Sequence, residues 1–247
     1  MWIYDRVVAC TRICTIGLVA LMGVTSLSPV YIGIDEVGRG AWAGPLAVGA
    51  ASGDPEAAAQ VLRRRRRGEG FYDSKALSAQ RREVALSQLR EVGISFAVGF
   101  ASASEIDTVG LTQALAMAAR RGLQELTSRL AEPRDEQLLL LDGKTNYLEG
   151  ARVETIVGGD RVHPLIAAAS IAAKVARDGL MVDLDFELPY WDLSSSKGYG
   201  SRRHRCGLVW LGPSVEHRRS FRPVQELTAP ASGRFFSPRS AKLDLLK

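Results

Sequence analysis

Two adjacent carboxylates, Asp35 and Glu36, follow a short apolar segment and precede a Gly-Arg-Gly turn. The apolar run from Tyr31 to Ile34 predicts a buried β-strand, which places both acids at its carboxyl end. Burying two carboxylates is costly unless a cation lies beside them, and Mg²⁺ is a hard ion that prefers oxygen ligands. The ten-residue stretch therefore predicts half of a metal site, with two solvated acids at a strand end as the alternative.

Two later carboxylates repeat this arrangement. Asp142 follows the most hydrophobic predicted strand, Gln137 to Leu141, and Asp160 follows a second short strand and two glycines. Ligand sites of open α/β sheets lie at the carboxyl ends of strands, so we expect these acids to meet Asp35. Such a group predicts a two-metal phosphodiester site, in which the cations activate a water and stabilise the leaving oxygen.

The surrounding pattern predicts an α/β domain over residues 30–224, with a central mixed sheet flanked by helices and a helical segment near the C-terminus. Residues 46–51 are interpreted as the returning strand of a hairpin and residues 94–100 as a further strand. Helices are predicted at residues 78–92, 111–130, 166–180 and 201–211. A capping box formed by Ser102 and Glu105 predicts the start of one more helix. For the first helix, the predicted buried stripe consists of Val84, Leu86, Leu89 and Val92.

The two ends of the chain differ from this core. Residues 1–29 contain an uncharged run that resembles a signal peptide or membrane anchor, although a non-native extension or a misassigned start codon is the favoured interpretation. Residues 225–247 are rich in Pro, Ser, Ala and Gly, which predicts a flexible tail. In that tail Lys242–Leu246 resembles the bacterial sliding-clamp-binding pentapeptide except at its first position, and a chance pattern is the alternative.

The composition fits an ordinary globular protein with an anionic partner. Of 247 residues, 46% are hydrophobic and the net charge is +5, and the segment from Lys197 to Lys247 holds 11 Lys and Arg against 3 Asp and Glu. A basic surface concentrated in this way favours nucleic acid. Three cysteines exclude a disulfide framework and their spacing argues against a zinc site, so we expect a cytoplasmic protein. We also expect the protein to be a monomer.

Taken together, the motifs resemble the ribonuclease HII family of the ribonuclease H-like superfamily. The resemblance extends from about residue 31 to residue 224, and its blocks occur in the family's order. They are the GIDEVGRGAWAGPL segment 33–46, Asp73-Ser74-Lys75 with Leu77, Leu141-Asp142-Gly143, Asp160 with segment 166–178, Lys197-Gly198-Tyr199-Gly200-Ser201 with His204, and segment 212–221.

The resemblance implies an endonuclease that cuts the RNA strand of RNA–DNA hybrids and incises 5′ of single ribonucleotides in duplex DNA. It implies two bound Mg²⁺ or Mn²⁺ ions and products with 5′-phosphate and 3′-hydroxyl ends. The metal-binding catalytic role falls to Asp35, Glu36, Asp142 and Asp160. The Gly38-Arg39-Gly40 turn would read the ribose 2′-hydroxyl, Tyr199 would stack on the deoxyribose beyond the junction, and Ser74, Lys75, Ser170 and Lys174 would contact phosphate.

Three alternatives remain open at this point. A ribonuclease HIII-like enzyme would share the chemistry but carries an additional N-terminal substrate-binding domain. A non-catalytic hybrid-binding protein would share the basic surface, and nothing in the sequence favours it because all four acids are present. A membrane-tethered form would use the apolar N-terminal run.

Overall fold

The centre of the molecule is a five-stranded mixed sheet with the order β3-β2-β1-β4-β5. The computed structural model describes residues 30–63, 77–130 and 137–229. Strand β1 pairs antiparallel with β2 and parallel with β4, while β2–β3 is antiparallel and β4–β5 parallel. The strands are β1 (Val30–Val37), β2 (Leu46–Ser52), β3 (Ser95–Ala101), β4 (Gln137–Asp142) and β5 (Val153–Ile156).

Helices cover both faces of this sheet, as predicted for a mixed α/β fold. They are α1 (Pro55–Leu62), α2 (Ala79–Glu91), α3 (Ala103–Val109), α4 (Leu111–Arg129), α5 (Gly159–Val162), α6 (Pro164–Glu187), α7 (Leu193–Ser196), α8 (Arg202–Leu211) and α9 (Arg222–Thr228), with a 3₁₀ turn at Pro189–Trp191. The capping box is confirmed: the Ser102 hydroxyl accepts from the Glu105 amide, and the Glu105 carboxylate accepts from the Ser102 amide.

The strand pattern separates two hydrophobic cores. Ile32 and Ile34 of β1 point to the side covered by α3 and α4, together with Leu139 and Leu141 of β4. The opposite side packs against α1, α2 and the alanine-rich half of α6. Because side chains alternate along a strand, Gly33 and Asp35 face α6.

Helix α6 lies unusually close to the sheet. A Cβ atom on Gly33 would lie 2.2 Å from the backbone carbon of Leu165, and one on Gly49 would lie 2.2 Å from the carbonyl oxygen of Ala169. The small residues of segment 166–180 permit this approach, as the sequence suggested. The contact matters for function because it fixes α6 directly against the strand that carries Asp35.

Two expectations from the sequence are wrong. Val84 and Val92 are 52% and 41% exposed, and the buried face of α2 uses Arg82 and Ala85 with the two leucines. Residues 225–228, assigned to a flexible tail, complete helix α9, in which Val224 is buried.

Several other expectations lie outside the described residues: the N-terminal run 1–29, the Asp73-Ser74-Lys75 motif and the clamp-like pentapeptide. Within the described ranges, every helix is too short or too polar to be a membrane span.

The close packing of α6 gives a stability prediction. Gly33→Ala should lower the free energy of unfolding by at least about 2 kcal/mol, because the new methyl group overlaps the α6 backbone. Gly179→Ala is the matched control: no heavy atom lies within 4 Å of its Cβ position, and α6 is helical there. That change should raise the free energy by about 0.5–1 kcal/mol. Urea unfolding of the full chain measures both, and equal effects would contradict the packing argument.

Candidate active site

A cleft of about 460 Å³ lies at the carboxyl ends of β1 and β4 and contains all four candidate carboxylates. It also contains every other site residue named from the sequence except Ser74 and Lys75, which are outside the described residues. Its lining consists of Asp35, Glu36, Val37, Gly38, Arg39, Gly40, Asp142, Asp160, Ser170, Lys174 and Tyr199.

The strand register explains why the acids converge. Ile34 pairs with Leu141 in the parallel β1–β4 ladder, so Asp35 and Asp142 are side by side one residue further along. Adjacent strands are about 4.8 Å apart. The Gly159 amide donates to the Asp142 carboxylate at 2.7 Å, which ties the start of α5 to the end of β4. That bond brings Asp160, the next residue, to the same cleft.

Asp35 is the most buried of the four acids, with 7% of its surface exposed. Burial raises the pKa of its carboxyl to about 7, although the hydrogen bond from the Ser170 hydroxyl opposes the shift; the neighbouring charge of Asp142 adds to it. The Glu36 amide also donates to this carboxylate, at 2.7 Å. A cation in the cleft would stabilise the ionised form.

Glu36 has a different environment. Burial raises the pKa of its carboxyl, while the guanidinium of Arg39 opposes that shift. The two groups form an ion pair at 3.3 Å, and the Arg39 side chain is largely exposed. Such an exposed partner can leave easily, so Glu36 is available to another cation.

The donor set suits a hard divalent ion. All four acidic side chains offer oxygen, yet within the described residues no three acidic, histidine or cysteine groups lie close enough to form a ready metal cage. Mg²⁺ is usually held by one or two carboxylates together with waters and substrate phosphates. An open arrangement of carboxylates therefore fits Mg²⁺ or Mn²⁺ bound jointly with substrate.

Lys174 lies on the α6 side of the cleft within a small ion network. Its ammonium group is 2.8 Å from one oxygen of Asp178, and the Arg82 guanidinium is 3.2 Å from the other. The Lys174 ammonium group also lines the cleft, where it could attract a substrate phosphate. Ser170, by contrast, is buried against Asp35 and is better placed to orient that acid than to contact substrate.

Two buried arginines beneath the cleft were not identified from the sequence. Arg177 donates from Nε to the Pro45 carbonyl at 2.7 Å and from Nη2 to the Ala43 carbonyl at 3.2 Å. Its third bond, from Nη1 to the Lys197 carbonyl, measures 2.9 Å. The side chain thus links the loop after β1 to the loop before α8.

Arg218 binds the same loop from the other side. Its Nε and Nη2 atoms both donate to the Gly44 carbonyl, at 3.1 and 2.9 Å, and Nη1 donates to the Arg39 carbonyl at 3.0 Å. Burial, and then the charge of Arg177, lower its pKa to about 9. One of these carbonyls is that of Arg39 itself, so the backbone of the Gly-Arg-Gly turn is held from below while the exposed Arg39 side chain pairs with Glu36.

This arrangement supplies a structural reason for Gly38. Its φ of +84° favours glycine, and a Cβ atom would lie 2.1 Å from Nε of Arg177. The backbone at Gly38 therefore lies directly against the buried side chain of Arg177, which leaves no room for a Cβ atom. Gly40 is less crowded, since the nearest atom to its Cβ position belongs to the Tyr199 ring at 3.9 Å.

Tyr199 is held at the cleft by its backbone. Its carbonyl is 2.9 Å from Nδ1 of His204, whose Nε2 is 2.9 Å from Nε2 of His217. Burial lowers the pKa of both imidazoles. Tyr199 is 43% exposed, and the Arg177 guanidinium is 5.9 Å from the centroid of its ring. An exposed ring on a fixed loop can stack against a ligand.

One signal in the sequence could have identified Arg177. It follows Ile166, Ser170 and Ala173 at helical spacing, on the face of α6 that packs against the sheet. An arginine on such a face must find acceptors inside the protein, because an unpaired buried charge is too costly. Arg218 carries no comparable signal, because it follows a loop rather than a periodic segment.

The sheet order and the carboxylate cleft at its strand ends define an α/β protein of the ribonuclease H type. The sequence model for ribonuclease HII matches residues 32–224. The chain belongs to the ribonuclease HII family and is thus a ribonuclease H-type endonuclease, which sets aside the ribonuclease HIII and non-catalytic alternatives.

Individual relatives agree with this assignment. The ribonuclease HII of Acaryochloris marina is 44% identical over 199 residues, covering 80% of this chain and 95% of the relative. The ribonuclease HII in a complex with PCNA from Archaeoglobus fulgidus superposes with a TM-score of 0.61 at 25% identity, covering 82% of this chain and 98% of that one. Bst-RNase HIII in complex with Mn²⁺ shares the fold alone, with a TM-score of 0.60 at 21% identity over 84% of this chain and 71% of that one.

The buried arginines give a second stability prediction. Arg218→Lys should lower the free energy of unfolding by about 2–4 kcal/mol, because an ammonium group cannot reproduce the forked contact with two carbonyls. The neighbouring Arg219 is exposed, so Arg219→Lys should change stability by less than about 0.5 kcal/mol. Denaturant unfolding of both variants measures the difference. Similar values for the pair would show that the Arg218 contacts do not hold the loop.

Proposed function

We propose that this protein cuts the RNA strand of RNA–DNA hybrids and incises duplex DNA on the 5′ side of single embedded ribonucleotides, leaving 5′-phosphate and 3′-hydroxyl ends. Removal of primers and excision of misincorporated ribonucleotides would be its cellular tasks. The observation that carries the proposal is the meeting of four carboxylates, the Gly-Arg-Gly turn and Tyr199 in one cleft.

The carboxylates would hold two divalent ions, either Mg²⁺ or Mn²⁺. When bound, the ions would activate a water and stabilise the leaving oxygen of an in-line displacement. The protein's own contribution is to fix the acids: the β1–β4 ladder sets Asp35 beside Asp142, and the Gly159 amide orients Asp142. Ser170 holds the Asp35 carboxylate through its hydroxyl.

The turn at residues 38–40 would recognise the ribose. A 2′-hydroxyl both donates and accepts, so backbone amides and carbonyls can bind it in one geometry only if the backbone is fixed. Arg218 supplies that rigidity through the Arg39 carbonyl, and Arg177 packs beneath Gly38. Lys174 would bind a substrate phosphate. We expect Ser74 and Lys75 to contact phosphates as well.

Tyr199 would contact the sugar that follows the cleavage junction. Its exposed ring lies beside Gly40. When the turn binds one sugar, the next sugar along the strand would therefore contact the ring. A deoxyribose presents an apolar face to such a ring, whereas a second 2′-hydroxyl there would lose hydration without a partner. This difference would favour a single ribonucleotide over a continuous RNA strand.

A sliding-clamp contact through Lys242–Leu246 stays a prediction of the sequence. Support comes from the archaeal ribonuclease HII that was solved in a complex with PCNA. We expect this contact to be weak, because the pentapeptide lacks Gln at its first position.

Asp35→Asn should abolish cleavage of a duplex holding one ribonucleotide while leaving hybrid binding largely intact. The change removes charge needed for metal binding without altering the basic surface. Glu154→Gln is the control, because Glu154 is an exposed acid on β5, outside the cleft. The assay is run with Mg²⁺, with Mn²⁺ and with a chelator, which should stop the wild-type reaction. Near-normal cleavage by Asp35→Asn would reject the site.

Tyr199→Ala should reduce the preference for a single ribonucleotide by about tenfold, as expected for the loss of one stacking contact. The measured quantity is the ratio of kcat/KM on a single-ribonucleotide duplex to kcat/KM on an all-RNA hybrid. Tyr199→Phe keeps the ring and should keep the ratio. If both variants retain the wild-type ratio, the tyrosine does not set the preference.

A further inference from the structure

A second depression of about 520 Å³ lies on the exposed face of α8, against the 3₁₀ turn that precedes α7. Tyr190 and Trp210 line it, and they are 71% and 64% exposed. Exposed aromatic rings gathered in one depression usually mark a binding surface. We call this depression, lined by Tyr190, Arg202, Arg203, Trp210 and Leu211 among others, the α8 groove.

The floor of the α8 groove is rigid. Gly207 packs so closely that a Cβ atom there would lie 2.6 Å from the Tyr190 carbonyl oxygen. Trp191, next to Tyr190, donates from its indole nitrogen to the Gly212 carbonyl at 3.0 Å. The rings of Tyr190 and Trp210 are therefore mounted on two segments that cannot slide past each other.

The charge of the α8 groove is one-sided. Arg202 and Arg203 line it, and its lining within the described residues contains no acid. Arg203 approaches Asp192 only to 3.9 Å and is almost fully exposed, so that pair neutralises little. Both arginines are in the first turn of α8, where the helix dipole disfavours cations. Their positions cost stability in the free protein and suit an anionic ligand.

The α8 groove begins close to the candidate active site along the chain, since three residues span at most about 10 Å. Tyr199 lines the cleft, and Arg202 begins α8 only three residues later. From Arg202 to Trp210 the helix extends about 12 Å, at 1.5 Å per residue. Along α8 the arginines are therefore nearer to Tyr199 than Trp210 is, and Tyr190 lines the groove from the 3₁₀ turn.

We propose that the α8 groove binds an unpaired single strand that extends from the end of the duplex in the cleft. The arginines contact its phosphates, and Tyr190 and Trp210 stack on its bases. This combination of a positive groove and aromatic platforms is the general means of binding single strands without sequence preference. Paired bases are already stacked on their neighbours, so a continuous duplex would use the arginines and leave the rings unused.

This inference rests on the proposed function, since it requires a hybrid duplex in the cleft. An acidic peptide is the other ligand that matches the charge of the groove. The single strand is favoured because the groove combines arginines with exposed aromatic rings and begins three residues after Tyr199, which lines the candidate active site.

The test measures binding of the full chain, without added divalent metal, to a blunt hybrid duplex and to the same duplex with an unpaired overhang of about four nucleotides. Overhangs of both polarities and an abasic overhang complete the set. One polarity should bind about tenfold more tightly than the blunt duplex, and the abasic overhang should lose most of that gain. Fluorescence anisotropy gives each Kd.

Variants then separate the two kinds of contact. The Tyr190→Ala/Trp210→Ala variant should lose the gain from the overhang and keep the blunt-duplex Kd. The Arg202→Gln/Arg203→Gln variant should bind both the normal and the abasic overhang duplex more weakly. Its Kd should also depend less steeply on salt concentration. Phe186→Ala is the control, because Phe186 is an exposed aromatic residue outside the groove. It should behave as wild type.

The proposal is overturned if neither overhang tightens binding, or if the gain survives in the Tyr190→Ala/Trp210→Ala variant. Binding of an acidic, aromatic peptide to the groove, with no response to an overhang, would also overturn it in favour of a protein partner. Cleavage of the blunt hybrid with Mg²⁺ reports on the proposed function alone. An absence of cleavage would therefore contradict the proposed function, whereas an absence of any effect of the overhang on Kd would contradict the role of the α8 groove.

Discussion

The buried guanidinium groups of Arg177 and Arg218 are the contacts on which the candidate active site depends. Both side chains are fully buried, and their hydrogen bonds end on backbone carbonyls of two loops rather than on carboxylates. A carbonyl neutralises a cation less completely than an acid does, so this arrangement is expensive in isolation. Its benefit is geometric, because a forked cation can hold several carbonyls in fixed positions where a loop alone could not.

The electrostatics of the cleft follow from this frame. Asp35 and Glu36 are at the end of a buried strand, and burial raises the pKa of each carboxyl. Cationic groups surround them, but Arg177 and Arg218 are committed to the backbone and Lys174 to Asp178. The positive charge that Glu36 meets among the described residues is the exposed guanidinium of Arg39, an ion-pair partner that can move away. A divalent ion shared with substrate phosphate would supply that charge, which is why the same cleft suits both metal and nucleic acid.

Much of the fold could be predicted from local patterns. The run Gln137–Leu141 ends on Asp142 as the sequence suggested, and the hairpin and capping box formed where the residue types favoured them. One prediction failed in helix α2. Val84 is two residues before Leu86 and so lies on another face of the helix, whereas Arg82, four residues before Leu86, is on the buried face and pairs with Asp178. The segment after residue 224 has a polar composition overall, but its first four residues complete helix α9, which packs through Val224.

The sequence by itself determined which residue types stand at the ends of the strands, and hence the carboxylates, the Gly-Arg-Gly turn and the family they resemble. These are local features, since a strand and the acid that follows it are adjacent in the chain. The tertiary structure decided which of them meet and what holds them. Arg177 and Pro45 are joined across 132 residues, and Arg218 and Gly44 across 174. Such contacts depend on the parallel pairing of β1 with β4 and on the close approach of α6, which no single segment encodes.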